Sequence, residues 1–354
     1  MLPAPVELGL EIKPASRFDV VNVWQGAASP DLLKEYSHAL YCSFHTTAGF
    51  LEQGLASRLD QATLGIRPYI HVFQKLFPEG AGYRHDDLHL REELSELQRG
   101  IEPRNADAHL AFIAAGLRTC VKYVNRPGEP VYFVDLDGVN GARRRRRLTR
   151  ILTFNTEEVV AHEQLHVPMS SHPLDSINLK DPRIGLYARL QELITRHGVT
   201  KGRIRLRLGA REQQAGLTIN EYETLLMRHD LMEVMRDPLR FVAEKGRHIL
   251  ADPWTVPAKT IGYAKYDLVQ LFNEMCDAFH MSESLVETLM ARMIGLPARR
   301  FLRMKRFVSL LVSDRETPGR GTIAEGTYQC PILVQWRKAL GRQRVIEITL
   351  TRLA

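Results

Sequence analysis

Phe44-His45-Thr46-Thr47-Ala48-Gly49-Phe50-Leu51-Glu52-Gln53 and Glu212-Gln213-Gln214-Ala215-Gly216-Leu217-Thr218-Ile219-Asn220-Glu221 are two versions of one pattern built around an Ala-Gly step. The first version sets a histidine and two hydroxyls before Ala-Gly. The second has Glu-Gln-Gln there and keeps a polar pair, Asn220 and Glu221, on the far side. Each holds what the other has lost, so the sequence leads us to expect a duplicated domain whose working site is assembled from both halves.

The flanking sequence repeats as well. Val6 to Lys13 and Arg17 to Val23 alternate apolar and polar residues around the turn Pro14-Ala15-Ser16, which predicts a strand hairpin. Ser29-Pro30-Asp31 then opens a helix, and a strand from Leu40 to Phe44 ends at His45. In the second half Glu158 to Pro168 and Leu174 to Leu179 read as strands. Asp181-Pro182 opens a helix that Gly198 stops, and Arg203 to Leu208 alternates basic and apolar residues up to the second motif. Strand, strand, helix, strand, motif occurs twice, at a spacing too long for a solenoid repeat. Domains of residues 1–155 and 156–354 are expected, with the boundary near Asn155-Thr156.

After the first motif, helices are expected over Leu51 to Leu64, Tyr69 to Leu76, Asp87 to Arg99 and Asn105 to Leu117. A strand pair, Thr119 to Val124 and Val131 to Leu136, and a strand from Arg147 to Phe154 follow. The second half adds helices at Asn220 to Met235, Tyr266 to Phe279 and Ser282 to Ile294, then strands at Arg306 to Ser313, Ile332 to Arg337 and Val345 to Thr351.

The 354 residues suffice for two domains with cores of ordinary size. With 44% hydrophobic and 25% charged residues the chain has the composition of a globular protein, and no apolar run reaches the roughly 18 residues of a membrane span. Without a secretory signal pattern a cytoplasmic location is the expectation. The four cysteines, Cys42, Cys120, Cys276 and Cys330, form no CxxC pair and are expected as packed thiols. Much of the +7 formal charge lies in Arg143 to Arg147 and Arg150, either a phosphate-facing surface or a solvated strand edge. Aromatics do not interleave with this run, so nucleic acid is not expected as a partner.

His45, His85 and His109 each stand on a rigid local frame: a strand end, a loop after Gly80-Ala81-Gly82, and the first turn of a helix. Three imidazoles converging would bind a divalent metal ion, zinc or magnesium, and leave a position open. Three unrelated packing histidines are the alternative. Asn105 and Asp107 start the helix of His109, where amide N–H groups favour anions; ordinary capping explains Asn105 equally. Asn220 and Glu221 are followed on one helix by Arg228, with Glu221, Arg228 and Met232 near a single face; a solvated helix face is the alternative. Tyr328 and Gln329 follow a turn before a strand, where a hairpin turn without chemistry is the alternative. Thr46 and Thr47 complete the substrate-binding set beside His45. There is no GxSxG elbow, Walker loop, strand-borne GxGxxG or HExxH, which demotes common hydrolases, nucleotide enzymes and dehydrogenases.

These residues resemble the YjbQ-type family, called secondary thiamine-phosphate synthases. Its pattern runs H-T-S/T-A-x-L-T-x-N-E, R-H-D, Y-x-H, an N-A-D-A-H-L or S-H-I-K helix, G-T-W-Q, and E-x-D-G followed by arginines. The first half is similar through His45 to Gly49, Tyr83-Arg84-His85, Asn105 to Leu110 and Asp135 to Gly138 with its arginines. The second is similar through Ala215 to Glu221, Arg228-His229-Asp230 and Gly326-Thr327-Tyr328-Gln329. The first half departs at Gln53-Gly54 and Arg126-Pro127-Gly128-Glu129, and the second has Glu212 where the first histidine stands.

The resemblance implies an α+β fold, here two YjbQ-like domains with antiparallel sheets packed by helices. It also implies homo-oligomers, usually trimers, and a reaction joining a pyrimidine diphosphate to a thiazole phosphate. The resulting expectation is an enzyme acting on a phosphorylated small molecule. His45, His85, His109 and Glu221 would be its catalytic groups, and the three histidines its metal ligands. A metal-dependent hydrolase of a phosphorylated metabolite and a non-catalytic basic-surface scaffold are the alternatives.

Overall fold

A computed structural model describes residues 3–26, 33–61, 65–92, 94–126, 128–141, 143–236, 241, 302 and 304–354. The chain is α+β, with antiparallel sheets and helices. It divides into two compact units that cut across the sequence halves. A strand unit comprises Met1–Ala56, Gly116–Tyr222 and Met304–Ala354, and a helical unit comprises Ser57–Ala115 and Glu223–Arg303.

In the strand unit the first half supplies β1 (Val6–Ile12), β2 (Asp19–Asn22), β3 (His38–Ser43), β4 (Ala48–Phe50), β5 (Cys120–Val124), β6 (Tyr132–Asp135), the short ladder β7 (Val139–Asn140) with β8 (Arg143–Arg144), and β9 (Arg147–Phe154). The second half supplies β10 (Glu157–Pro168), β11 (Asp175–Asn178), β12 (Gly202–Leu208), β13 (Ala215–Asn220), β14 (Phe307–Ser313), β15 (Thr322–Ala324), β16 (Cys330–Gln335) and β17 (Gln343–Leu353).

Among the described residues the sheet orders run in parallel between halves. β1-β9-β3-β5 is matched by β10-β17-β12-β14-β15, and β2-β6-β4 by β11-β16-β13. Registers match too: Ala48 lies opposite Asp135 as Ala215 lies opposite Gln335. Even the isolated bridge Phe50–Arg118 has its partner in Leu217–Lys305.

The expected hairpins do not form. β1 pairs with β9 while β2 pairs with β6, and β5 pairs with β3 while β6 joins β2 and β4. Consecutive strands go to different sheets, because Pro14-Ala15-Ser16 ends β1 and carries the chain across, with Asp19 Oδ2 accepting from the Ala15 amide at 2.9 Å. The charged helix expected over Asp87 to Arg99 is instead a 3-10 turn, Leu88–Leu90, and a separate short helix, Glu96–Arg99. Ser95 and Gln98 form a capping box, which starts a new helix there. The helix start at Ser29-Pro30-Asp31, residues 62–64, and the helices expected at Tyr266 to Phe279 and Ser282 to Ile294 lie outside the described residues.

Elsewhere periodicity and burial agree. Ile204, Leu206 and Leu208 of β12 enter the core while Arg205 and Arg207 turn the other way. The helix Leu186–Arg196 buries Leu186, Leu190, Leu193 and Ile194 at helical spacing, each worth roughly 1.5–3 kcal/mol of apolar burial. Leu40, Cys42, Leu152 and Phe154 of the first half share one apolar cluster with Leu311 and Leu353 of the second. In the helical unit all nine residues of the helix Ala106–Ala114 are buried, and the Tyr69 hydroxyl donates to the Ala115 carbonyl at 2.8 Å.

Candidate functional site

The first motif forms the end of β3 and the entry to β4. The Ser43 hydroxyl donates to the Ala48 carbonyl at 2.7 Å and closes the turn that carries His45, Thr46 and Thr47. His45 Nε2 accepts the Leu148 amide at 2.8 Å. Burial, then the charges of Arg147 and Arg145, push its pKa down to about 3. His45 therefore stays neutral with its Nε2 lone pair engaged by main chain. Expected as a metal ligand and catalytic group, it is a latch between β3 and β9 instead. Thr46 is half-buried in the turn, and Thr47 is buried with its Oγ1 3.4 Å from Arg147 Nη2.

Behind the turn, Arg147 is held by both oxygens of Asp135, at 2.6 and 2.7 Å, and by the Asp137 carbonyl at 2.7 Å. Burial pushes the Asp135 carboxyl above its ordinary range while Arg147 pulls it back. Arg145 pairs with Asp137 at 2.6 Å and Arg146 with Glu11. Much of the arginine run is thus neutralised internally.

The second half builds the same frame with other residues. Glu212 Oε1 accepts the Val345 amide at 2.9 Å, as His45 accepts that of Leu148. Arg344 reaches Gln335 and the Arg337 carbonyl, as Arg147 reaches Asp135 and the Asp137 carbonyl.

Gln329 ties the two halves together. Its Nε2 donates to the carbonyls of Ser43 and His45, both at 2.9 Å, and its Oε1 accepts the Gly326 amide at 3.0 Å. A Cβ on Gly326 would stand 1.9 Å from the Phe44 carbonyl oxygen, so only glycine fits. Tyr328, expected to turn toward the sheet end with Gln329, instead points outward and is 68% exposed, because the 326–329 turn spends its inward position on Gln329. Asn220 is buried at the end of β13 with its Oδ1 accepting the Glu221 amide at 2.8 Å, and Glu221 is half-buried.

The helical unit holds the other two histidines. His85 is fully buried, and its Nδ1 lies 3.0 Å from Asp86 Oδ1. A carboxylate accepts only, so Nδ1 carries the proton and the Nε2 lone pair faces away from Asp86. The His109 ring, also buried, lies 5.3 Å from that of His85, centroid to centroid, at an interplanar angle of 60°.

Asp86 Oδ1 also accepts the Ala106 amide at 3.0 Å. It thereby caps the helix of His109, whereas the Asn105 side chain makes no capping bond there. One carboxylate thus orients His85 and anchors the helix that presents His109. Asp107 is buried on that helix's first turn. Arg228 and His229 are exposed on a π-helical turn, Leu226–Asp230, while Asp230 points inward. Its two oxygens accept the amides of Arg84 at 3.0 Å and His85 at 2.9 Å. Tyr83 is buried, and its pKa is raised by burial and by the charges of Asp107, Asp86 and Asp230.

The sequence names Tyr83 and Asp230 only as members of Tyr83-Arg84-His85 and Arg228-His229-Asp230 and gives them, like Asp86, no role of their own. Their signal was adjacency: Asp86 follows His85, and Asp230 closes Arg-His-Asp.

No family model and no curated protein matches the chain. Among solved structures it is similar to a YbjQ-like protein of unknown function from Sulfolobus solfataricus, at 13% identity over 56% of this chain and 99% of that one, with a TM-score of 0.29. It is also similar to a hypothetical protein from Aeropyrum pernix (16% identity, 54% and 98% coverage, TM-score 0.28). An uncharacterized conserved protein of the YjbQ/UPF0047 family from Clostridium acetobutylicum is another (13% identity, 53% and 98% coverage, TM-score 0.26).

Proposed function

We propose that the chain is a diverged tandem YjbQ-like protein that acts on a phosphorylated small molecule, with a divalent metal ion held by His85 and His109. The observation that carries the metal reading is the Asp86 carboxylate. It fixes the protonated nitrogen of His85, directs the other nitrogen away, and anchors the helix of His109 with the same oxygen. Metal-binding histidines are oriented by such carboxylates. Two imidazoles suit zinc better than magnesium, which prefers oxygen ligands.

When bound, a divalent ion supplies Lewis-acid polarisation of a phosphoryl oxygen. Around it, Asp230 holds the Arg84 and His85 amides and so fixes the loop on which His85 rides. Tyr83 keeps its proton and offers a hydroxyl donor. The duplicated reading is supported by the matching sheet orders, by the shared role of His45 and Glu212, and by Gln329 bonding to the first half's motif. Domains of residues 1–155 and 156–354 describe that repeat, and the sequence motifs assign Asn220 and Glu221 to the same working site.

The substrate class is tested by incubating the protein and its H85A, H109A and E221Q variants with a panel of phosphorylated metabolites. Release of inorganic phosphate or diphosphate by the unaltered protein, lost in the histidine variants, is the expected result. Turnover that survives both histidine substitutions would refute the assignment. Turnover unaffected by E221Q would remove Glu221 from the site.

A further inference from the structure

Cys42 and Cys120 stand opposite each other on β3 and β5, with their sulfurs 3.4 Å apart and no disulfide between them. In sequence they are 78 residues apart. The Ser43 amide donates across to the Thr119 carbonyl of the β5 side at 2.7 Å, and the Phe44 amide donates the other way, to the Leu148 carbonyl of β9 at 3.3 Å. This alternation makes Cys42 and Cys120 a non-hydrogen-bonded pair. Cα atoms in such a pair are about 4.5 Å apart, within the span that a disulfide bridges.

The fold does not require thiols here. At the equivalent pair of the second half, β12 and β14 carry Arg207 and Phe307. The two cysteines lie in the apolar cluster that joins the halves, with Leu40, Leu152 and Phe154 from the first and Leu311 and Leu353 from the second. Only 2% of Cys42 and 7% of Cys120 is exposed, which shuts out a bulky oxidant such as a glutathione disulfide but not hydrogen peroxide, a molecule little larger than water. Among the described residues β5 is the outer strand of its sheet, and an outer strand opens locally more readily than a central one. Cys120 rides on that outer strand. Burial, then the neighbouring Cys120 and Glu7, push the Cys42 thiol up, so the inner sulfur holds its proton and the outer one reacts first.

The pair is flanked by contacts that cross between the halves. Ser43, next to Cys42, gives its carbonyl to Gln329, and Arg118, two residues before Cys120, donates to the Phe307 carbonyl at 2.7 Å. A covalent bond between the sulfurs fixes these two attachment points relative to each other.

We propose that Cys42 and Cys120 form a peroxide-sensitive dithiol that closes to a disulfide, stapling β3 to β5 at the junction between the halves. The Cys120 thiolate attacks one oxygen of hydrogen peroxide; an S–O bond forms, the O–O bond breaks, and hydroxide leaves to become water with the proton Cys120 has released. The Cys42 sulfur, losing its proton, then attacks the Cys120 sulfur. The S–S bond forms as the S–O bond breaks, and the second hydroxide leaves as water with the Cys42 proton. Two thiols give up two electrons and two protons, and one peroxide becomes two waters. The His85–His109 site takes no part.

The test is peptide mapping by mass spectrometry of the full chain, reduced, freed of reductant and exposed to hydrogen peroxide, beside C120S and C330S. The unaltered chain and C330S should each yield a peptide pair bridged through Cys42 and Cys120, lighter by two hydrogens and separated again by dithiothreitol. C120S should give no bridge to Cys42. Because the bridge closes a long loop, the oxidised unaltered chain should also unfold at a higher urea concentration than the reduced one. Should C120S fail to fold, the map of the unaltered chain still decides. Bridges that run to Cys276 or Cys330 instead would overturn the proposal. So would sulfinic acid at Cys120 without a bridge, or Cys42 and Cys120 both recovered as thiols after Cys330, the half-buried cysteine, has been oxidised.

Discussion

Replacing His45 with glutamine should remove a specific part of the protein's acid sensitivity. In the folded chain His45 is neutral, its pKa pushed down to about 3 from an ordinary 6.5 by burial and by Arg147 and Arg145. The unfolded chain takes up a proton as pH falls below about 6.5, and the folded chain does not until about 3. Stability from this group is therefore complete above the upper value and is lost progressively as pH falls toward the lower one. Linkage between the two values gives a loss of about 2 kcal/mol at pH 5 relative to pH 7.

Glutamine does not titrate, and its Oε1 can accept the Leu148 amide as Glu212 accepts that of Val345 in the second half. Urea unfolding followed by tryptophan fluorescence, at pH 7 and pH 5, supplies four free energies. Other titrating groups cancel when the pH effect on H45Q is subtracted from that on the unaltered protein. A remaining difference of about 2 kcal/mol is expected. Equal acid sensitivity in the two proteins would refute the assignment of His45 as a half-buried neutral latch.

Gly326→Ala places a methyl group against the Phe44 carbonyl and should cost about 2–4 kcal/mol, read as a lower urea midpoint. Asp135→Ala leaves Arg147 buried without its carboxylate and should destabilise the strand unit by about 3–5 kcal/mol, whereas Arg146→Ala at the exposed Glu11 pair should leave the urea midpoint nearly unchanged. Asp86→Asn removes the charged acceptor of His85 and should weaken zinc affinity about 10- to 100-fold in competition titrations, with far-UV circular dichroism unchanged.

Periodicity located most strands, because β12 and the helix Leu186–Arg196 bury one side and their residues follow the period of that burial. Pairing was not legible. β1 and β2 are neighbours in sequence and members of different sheets, and that choice is made by contacts with β9 and β6 far along the chain. Of the candidate site, the sequence pointed to His85, His109 and Gln329, which are buried at positions their motifs single out. It assigned His45 a metal because nothing in the motif shows that Leu148, a hundred residues on, donates to its ring. Asp230 holds main-chain amides, and Asp86 adds the Ala106 amide twenty residues on to its bond with the His85 ring; main-chain partners carry no sequence signature.

Elemental analysis of the full-length protein, purified without chelator and without added metal, tests the central assignment most directly. About one zinc ion per chain is predicted, falling to near zero in H85A/H109A and unchanged in H45Q. No bound metal in the unaltered protein, or an equal metal content in H85A/H109A, would contradict the placement of the site at His85 and His109.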